Sequence, residues 1–160
     1  MIAIEPAPEN LECYRRNFKD EIARGRVIVY PKGVWDKDDV LEMNVDPKNS
    51  AGDSFVIERQ GSHKIKLPLT TIDKLVAELA LPRVDYVKMD IEGAEPNALL
   101  GGRATIERWK PRLSISAYHE PDHPVRIPGI VNQIRKDYLM ECGPCEEKDG
   151  HIHPDILYFR

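Results

Sequence analysis

Three carboxylates and two imidazoles stand out by type and spacing. Asp90, Glu92 and Glu95 close the run VDYVKMDIEGAE, within six residues of one another and directly after an apolar stretch. His119 and His123 follow a second apolar stretch, RLSISA, inside the polar string Tyr118, His119, Glu120, Asp122, His123. A parallel strand that ends in acids and a glycine turn puts those acids at the carboxyl edge of a sheet, where open α/β proteins bind ligands. There a carboxylate can orient a hydroxyl or take its proton, and an imidazole can share that proton. Asp90 and His119 end two strands expected to be neighbours, so they are the candidate acid–base pair, with Glu92 beside them. Lys88 interrupts the first apolar strand and is expected to pair with a carboxylate.

The same residue types also bind metals, since Asp, Glu and His serve magnesium, manganese and zinc. A metal-dependent hydrolase or transferase would draw on His119, Glu120, Asp122 and His123, with His151 and His153 brought near by a C-terminal hairpin. Pro121 and Pro124 make that cluster a turn, however, and its spacing fits no H-E-x-x-H pattern. A solvated polar loop is the preferred reading, and no residue is assigned as a metal ligand. Cys142 and Cys145 have C-x-x-C spacing without a second such pair, which specifies neither zinc nor redox chemistry.

The elements that must position these groups follow from periodicity. Met1–Glu5 reads as a short strand ended by Pro6 and Pro8. Leu11, Tyr14 and Phe18 recur at helical spacing over Glu9–Ala23, and Arg26–Tyr30 is a second buried-type strand. Strand, helix and strand in about thirty residues mark a parallel βαβ unit. Val34–Pro68 alternates and is broken by turns at Pro47–Gly52 and Gln60–Ser62, so it reads as an antiparallel excursion or a substrate-side loop. Thr70 and Asp73 resemble a capping box before a helix with Ile72, Leu75, Val76 and Leu79 inside. Val84–Met89 is a strand, Glu95–Leu100 a short helix stopped by Gly101–Gly102, and Ala104–Trp109 another helical turn or two. Arg112–Ala117 is a strand, Ile127–Lys136 a helix, and Tyr138–Cys142 and Asp155–Arg160 are strands expected to pair across a turn-like Gly143–Pro154.

Bulk properties exclude several classes. The 160 residues suffice for one domain, 1–160, with a real core. A net charge of −4 argues against a general nucleic-acid or anionic-membrane surface. No apolar run approaches the roughly 18 residues that span a bilayer, and charge from Glu5 onward does not suit a signal peptide. Three cysteines form no disulfide framework, so a reduced, cytoplasmic setting is expected.

In order along the chain, IEPAPEN, TTIDKL, VKMDIEGAEPNALLGG, SAYHEPDH and a terminal ILYF resemble methyltransferases of the FkbM type; K-x-D-x-E-G-x-E with an upstream T-x-D is the most specific part. The resemblance implies S-adenosylmethionine as methyl donor and O-methylation of a hydroxyl on a sugar or natural product. It also implies a Rossmann-like class I fold, a three-layer sandwich with a mostly parallel sheet and an antiparallel C-terminal strand. By the same resemblance Glu5 holds the cofactor ribose, Gly33, Val34 and Trp35 lie by the adenine, and Asp90 faces the methionine end and the acceptor.

One feature departs from that pattern. The fold holds its cofactor on a glycine-rich turn after the first strand, and the ribose acid follows roughly 20 residues later. Here only four residues precede Glu5, and no G-x-G turn occurs. The first strand and glycine loop are therefore expected to be missing, as in a truncated chain. Exposed edges flanking the gap would then favour self-association into a homo-oligomer. A non-catalytic oligomerisation module on the methyltransferase fold is the remaining alternative.

Overall fold

The computed structural model describes residues 1–47, 52–148 and 150–160. The chain opens with β1 (Ile2–Ile4), a helix α1 (Pro8–Asn17), a short α2 (Lys19–Ala23) and β2 (Ile28–Tyr30). β1 and β2 pair in parallel, which gives the expected βαβ unit. The one helix expected over Glu9–Ala23 is broken at Phe18, whose φ of −109° and ψ of 24° leave the helical region.

β3 (Gly33–Val34), β4 (Asp39–Val45) and β5 (His63–Thr70) form a three-stranded sheet in the order β3-β5-β4. β4 and β5 are the antiparallel excursion, while β3 runs parallel to β5 and Trp35 N–H donates to Thr70 O over 2.8 Å. The expected turn at Pro47–Gly52 lies largely outside the described residues. α3 (Ile72–Glu78) is capped one residue later than expected. Thr70 ends β5 and gives its hydroxyl to Asp38, and Thr71 accepts the Lys74 N–H at 3.0 Å. Asp73 forms no capping box there. Its two oxygens accept Ala104 N–H and Thr105 N–H at 2.9 and 2.7 Å, in the first turn of α5.

β6 (Tyr86–Met89), α4 (Glu95–Gly101), α5 (Arg103–Trp109) and β7 (Arg112–Ser116) follow, then α6 (His123–Ile134), β8 (Met140–Cys142), β9 (Cys145–Lys148), β10 (His151–Pro154) and β11 (Ile156–Phe159). Their main sheet has the order β6-β7-β11-β8, with β6 and β7 parallel and β11 antiparallel to both its neighbours. The antiparallel strand at the C-terminal end is thus as expected. A mostly parallel sheet is not: three described pairings are parallel and four antiparallel, because each hairpin, β4–β5 and β9–β10, adds its own. β9 and β10 also replace the turn expected over Gly143–Pro154. β1 and β6 do not pair with each other; they edge separate sheets.

One core joins these pieces. Leu113, Ile115, Leu157 and Phe159 of the main sheet pack with Tyr30 and Val34 and with Leu99, Ile106, Ile127 and Val131 of the helices. Burial of each such side chain contributes about 1.5–3 kcal/mol. α4 also needs Gly101, since a Cβ there would stand 1.9 Å from the carbonyl oxygen of Trp35. No helix among the described residues is long and apolar enough to cross a membrane.

Candidate functional site

β6 ends at Met89 in the core, and the chain then turns sharply. Glu92 has φ of +53° and Gly93 φ of +98°. The first is a left-handed conformation that costs a non-glycine residue energy, so other contacts must hold it. Ser54 Oγ donates to Glu92 O at 2.5 Å, and Glu95 Oε1 and Oε2 accept the N–H groups of Ile91 and Gly93 at 2.9 and 3.1 Å. Glu95 is fully buried at the start of α4, so its carboxylate is held by backbone donors and favoured by the helix terminus.

The turn brings three carboxylates around one imidazole. β7 is the neighbour of β6 and leads through Ala117 to Tyr118 and His119. The His119 side chain is 2% exposed; its Nε2 lies 3.5 Å from Asp90 Oδ1 and 3.3 Å from Glu92 Oε1, and its Nδ1 lies 2.9 Å from Glu95 Oε1. These are ion-pair distances only. Neither ring nitrogen of His119 has a partner with hydrogen-bond geometry among the described residues, and His123 Nδ1, 3.7 Å from Glu95 Oε2, has none either. The outer oxygens are held by cations: Arg59 lies 2.7 Å from Glu92 Oε2 and Lys88 3.4 Å from Asp90 Oδ2, the pairing expected for Lys88. Tyr118 donates its hydroxyl to Asp90 Oδ1 at 3.1 Å and stacks obliquely on His119.

The electrostatics follow from these contacts. Burial raises the Asp90 carboxyl pKa, but hydrogen bonds from Ser116, Tyr118 and Lys88, with the Lys88 charge, outweigh it and leave the pKa below the ordinary value. Burial lowers the His119 pKa, yet the surrounding Glu95, Glu92 and Asp90 carboxylates prevail and hold it above the usual imidazole range. For His123 burial prevails and lowers the pKa, with repulsion from His119 and against the pull of the Glu95, Asp122 and Glu120 carboxylates.

The other sequence candidates stand apart from this cluster. Glu5 directly follows β1, donates its N–H to Tyr30 O and accepts the Ala7 N–H on Oε1 at 2.8 Å. Burial pushes its carboxyl up, against the bonds from Ala7 and Asn10 and with repulsion from Asp53. Gly33 and Val34 are buried in β3, and Trp35 is half-buried after it. A Cβ on Gly33 would meet the Leu69 side chain at 2.4 Å and the Phe55 ring at 2.7 Å, so close packing by these two side chains accounts for a glycine here. Residues 52–60 connect the two regions: Asp53 acts on Glu5, Phe55 packs on Gly33, and Ser54 and Arg59 hold Glu92.

Of the linear string His119–His123, only the two histidines approach the cluster. Asp122 pairs with Arg126, and His123 opens α6 instead of lying in a turn. The side chain of His151 lies outside the described ones, and His153 sits on the β9–β10 hairpin. Arg59 and Ser54 were missed in the sequence, whereas Glu95 stood among the three carboxylates and Tyr118 in the polar string, both without an assigned role. Arg59 and Ser54 lie in a stretch without periodicity or motif, so no signal there could have found them. A cleft of about 370 Å³ between α3 and α5, lined by Asp73, Val76, Ala80, Leu81, Arg108 and Trp109 among others, contains none of the site residues.

Comparison with known proteins adds an independent line. The family model described as methyltransferase FkbM domain matches residues 1–143. No curated protein matches the chain. The crystal structure of a methyltransferase FkbM from Methylobacillus flagellatus KT is similar, with a TM-score of 0.69 at 25% sequence identity, over 99% of this chain and 36% of that one. The chain thus has an α/β fold with mixed sheets like that structure and spans little more than a third of its length.

Proposed function

The chain belongs to the methyltransferase FkbM domain family, and from that premise we propose that it is part of an S-adenosylmethionine-dependent O-methyltransferase acting on a hydroxyl of a sugar or natural product. The observation that carries this reading is the meeting of Asp90 and His119 at the carboxyl ends of the parallel strands β6 and β7, where this kind of fold receives ligands. The finer fold reading belongs with it: β1–β2 and β6-β7-β11-β8 are two parts of a Rossmann-like, three-layer arrangement.

The donor sets suit the cofactor. Glu5 is a partly buried strand-end carboxylate whose neighbours in contact are neutral donors, so it can accept both ribose hydroxyls. Asp90 and Glu92 give the sheet edge the negative charge that a sulfonium cation favours. Trp35 and Val34 contribute apolar surface for the adenine. Bound S-adenosylmethionine supplies an electrophilic methyl group.

The protein's part is orientation and proton handling. Asp90 is 40% exposed at its side chain and anionic, so Oδ1 can accept the acceptor hydroxyl's hydrogen bond and hold its oxygen in line. As the hydroxyl is methylated, its proton passes to Asp90, with His119 Nε2 3.5 Å behind it to share the charge. Glu92, fixed by Arg59, keeps His119 turned toward Asp90. Tyr118, 56% exposed and bonded to Asp90, stands on the acceptor side.

The acceptor is a small molecule or glycan, and self-association through the open edges of β1 and β6 completes the reading, with light scattering as its check. The functional test offers hydroxylated acceptors to the full-length protein and follows S-adenosylhomocysteine release. Asp90→Asn should lower kcat at saturating cofactor by about 10²- to 10⁴-fold, beyond any weakening of cofactor affinity. Methyl transfer to nitrogen or carbon only, or an unchanged kcat in the variant, would contradict the reading.

A further inference from the structure

We propose that Asp90, Glu92 and His119 form a divalent-cation site, with Glu95 supporting the imidazole from behind. The site itself is argued from geometry; only its part in methyl transfer rests on the function proposed above. Three observations carry it.

The first is an orphaned donor set. His119 Nε2 is buried without a hydrogen-bond partner among the described residues, although Asp90 Oδ1 and Glu92 Oε1 stand 3.5 and 3.3 Å away. The three atoms lie within 4.8 Å of one another. With metal–ligand bonds of about 2.1 Å, two ligands are about 3.0 Å apart at a right angle and about 3.4 Å apart at the tetrahedral angle. The observed separations match a cation seated between the atoms better than they match hydrogen bonds.

The second is the division of labour among oxygens. Arg59 and Lys88 take the outer oxygens, Glu92 Oε2 and Asp90 Oδ2, and the inner ones face Nε2, Asp90 Oδ1 also accepting the Tyr118 hydroxyl at 3.1 Å. Each carboxylate is thereby held as a one-oxygen ligand in a fixed direction.

The third is the support behind the ring. Glu95 Oε1 lies 2.9 Å from Nδ1, and both Glu95 oxygens are already anchored by backbone N–H groups. The approach is an ion-pair contact without hydrogen-bond geometry, and a carboxylate so placed strengthens the imidazole as a ligand by its charge. Glu95, His119 and His123 also lie close enough to share an ion, but Glu95 is fully buried with both oxygens in use. The outer set, with Asp90 40% exposed, has an entry path and room for water or a substrate oxygen.

Two carboxylates and one imidazole suit manganese(II), iron(II) or zinc. A cation there would coordinate the acceptor oxygen and ease loss of its proton, beside Asp90. The test titrates manganese(II) into chelator-treated full-length protein and follows free metal by electron paramagnetic resonance. The histidine ring resonances are followed by NMR in the same samples. One ion per chain should bind and broaden the His119 signals while those of His63 stay sharp. Asp90→Asn and His119→Gln should weaken binding at least 100-fold, and Glu95→Gln about 10- to 100-fold. Absence of a bound ion, or binding that leaves the His119 signals of the wild-type protein sharp, overturns the proposal. The wild-type spectra keep the test decisive even if a variant folds poorly. Methyl transfer enters neither readout, so failure here leaves the functional reading standing, and loss of that reading leaves the metal site standing.

Discussion

Glu95→Ala is the substitution that most severely tests the logic of the site. The Glu95 side chain is fully buried, accepts the Ile91 and Gly93 N–H groups at 2.9 and 3.1 Å, and is the counter-charge nearest His119 Nδ1. Each hydrogen bond to a charged group contributes about 1.5–3 kcal/mol, and a buried donor left bare costs its desolvation besides. Losing both bonds, in a turn where Glu92 already holds a φ of +53°, should destabilise the domain by about 3–5 kcal/mol. Domain stability is only about 5–15 kcal/mol, so that is a large share of it. For a domain of this size, roughly 2–4 °C of Tm accompany each kcal/mol, which places the shift near 10 °C. Urea unfolding followed by circular dichroism measures it directly, with a lower midpoint and an unchanged m value. Glu95→Gln keeps an acceptor for one of the two N–H groups and should lose about half as much. A Glu95→Ala protein within about 1 kcal/mol of wild type would refute the claim that this carboxylate organises the turn.

Other expectations follow from single contacts. Gly101→Ala pushes a Cβ onto the Trp35 carbonyl, a backbone atom that cannot swing away, and should cost about 2–3 kcal/mol in the same unfolding assay. Asp73→Ala removes the acceptor for two N–H groups at the start of α5 and should cost about 1–2 kcal/mol, about half of it restored by Asp73→Asn, which keeps one acceptor oxygen. Burial holds the Glu5 carboxyl above its ordinary pKa. Protonation removes its capacity to accept two hydroxyls, so affinity for S-adenosylmethionine should fall as pH drops, beginning at a higher pH than for an exposed glutamate. Calorimetry across mildly acidic pH checks this, and Glu5→Gln should abolish the dependence.

The parts of the fold that rest on local periodicity were legible in the sequence. β1, β2, β6, β7 and β11 fall where apolar runs place them, and the Asp90–His119 meeting follows from their being neighbouring parallel strand ends. What was hidden depends on contacts distant in sequence. Asp73 looks like a local cap because its spacing to Thr70 is right, yet α5 lies close enough in space to claim both its oxygens. Arg59 and Ser54 sit in a stretch without periodicity, and only the folded chain shows them gripping Glu92. The parallel bias was overestimated because short hairpins such as β9–β10 leave no apolar alternation to read. His119 and His123 were grouped with Glu120 and Asp122 by proximity in sequence. In the structure they face Glu95, more than twenty positions upstream.

The central claim is that this chain forms part of an S-adenosylmethionine site reaching from Glu5 to Asp90. Calorimetric titration of the full-length protein with S-adenosylmethionine tests it most directly. The account predicts one saturable site per chain, weakened at least tenfold by Glu5→Ala in a protein that remains folded. Absence of binding, or affinity untouched by that substitution, would contradict it.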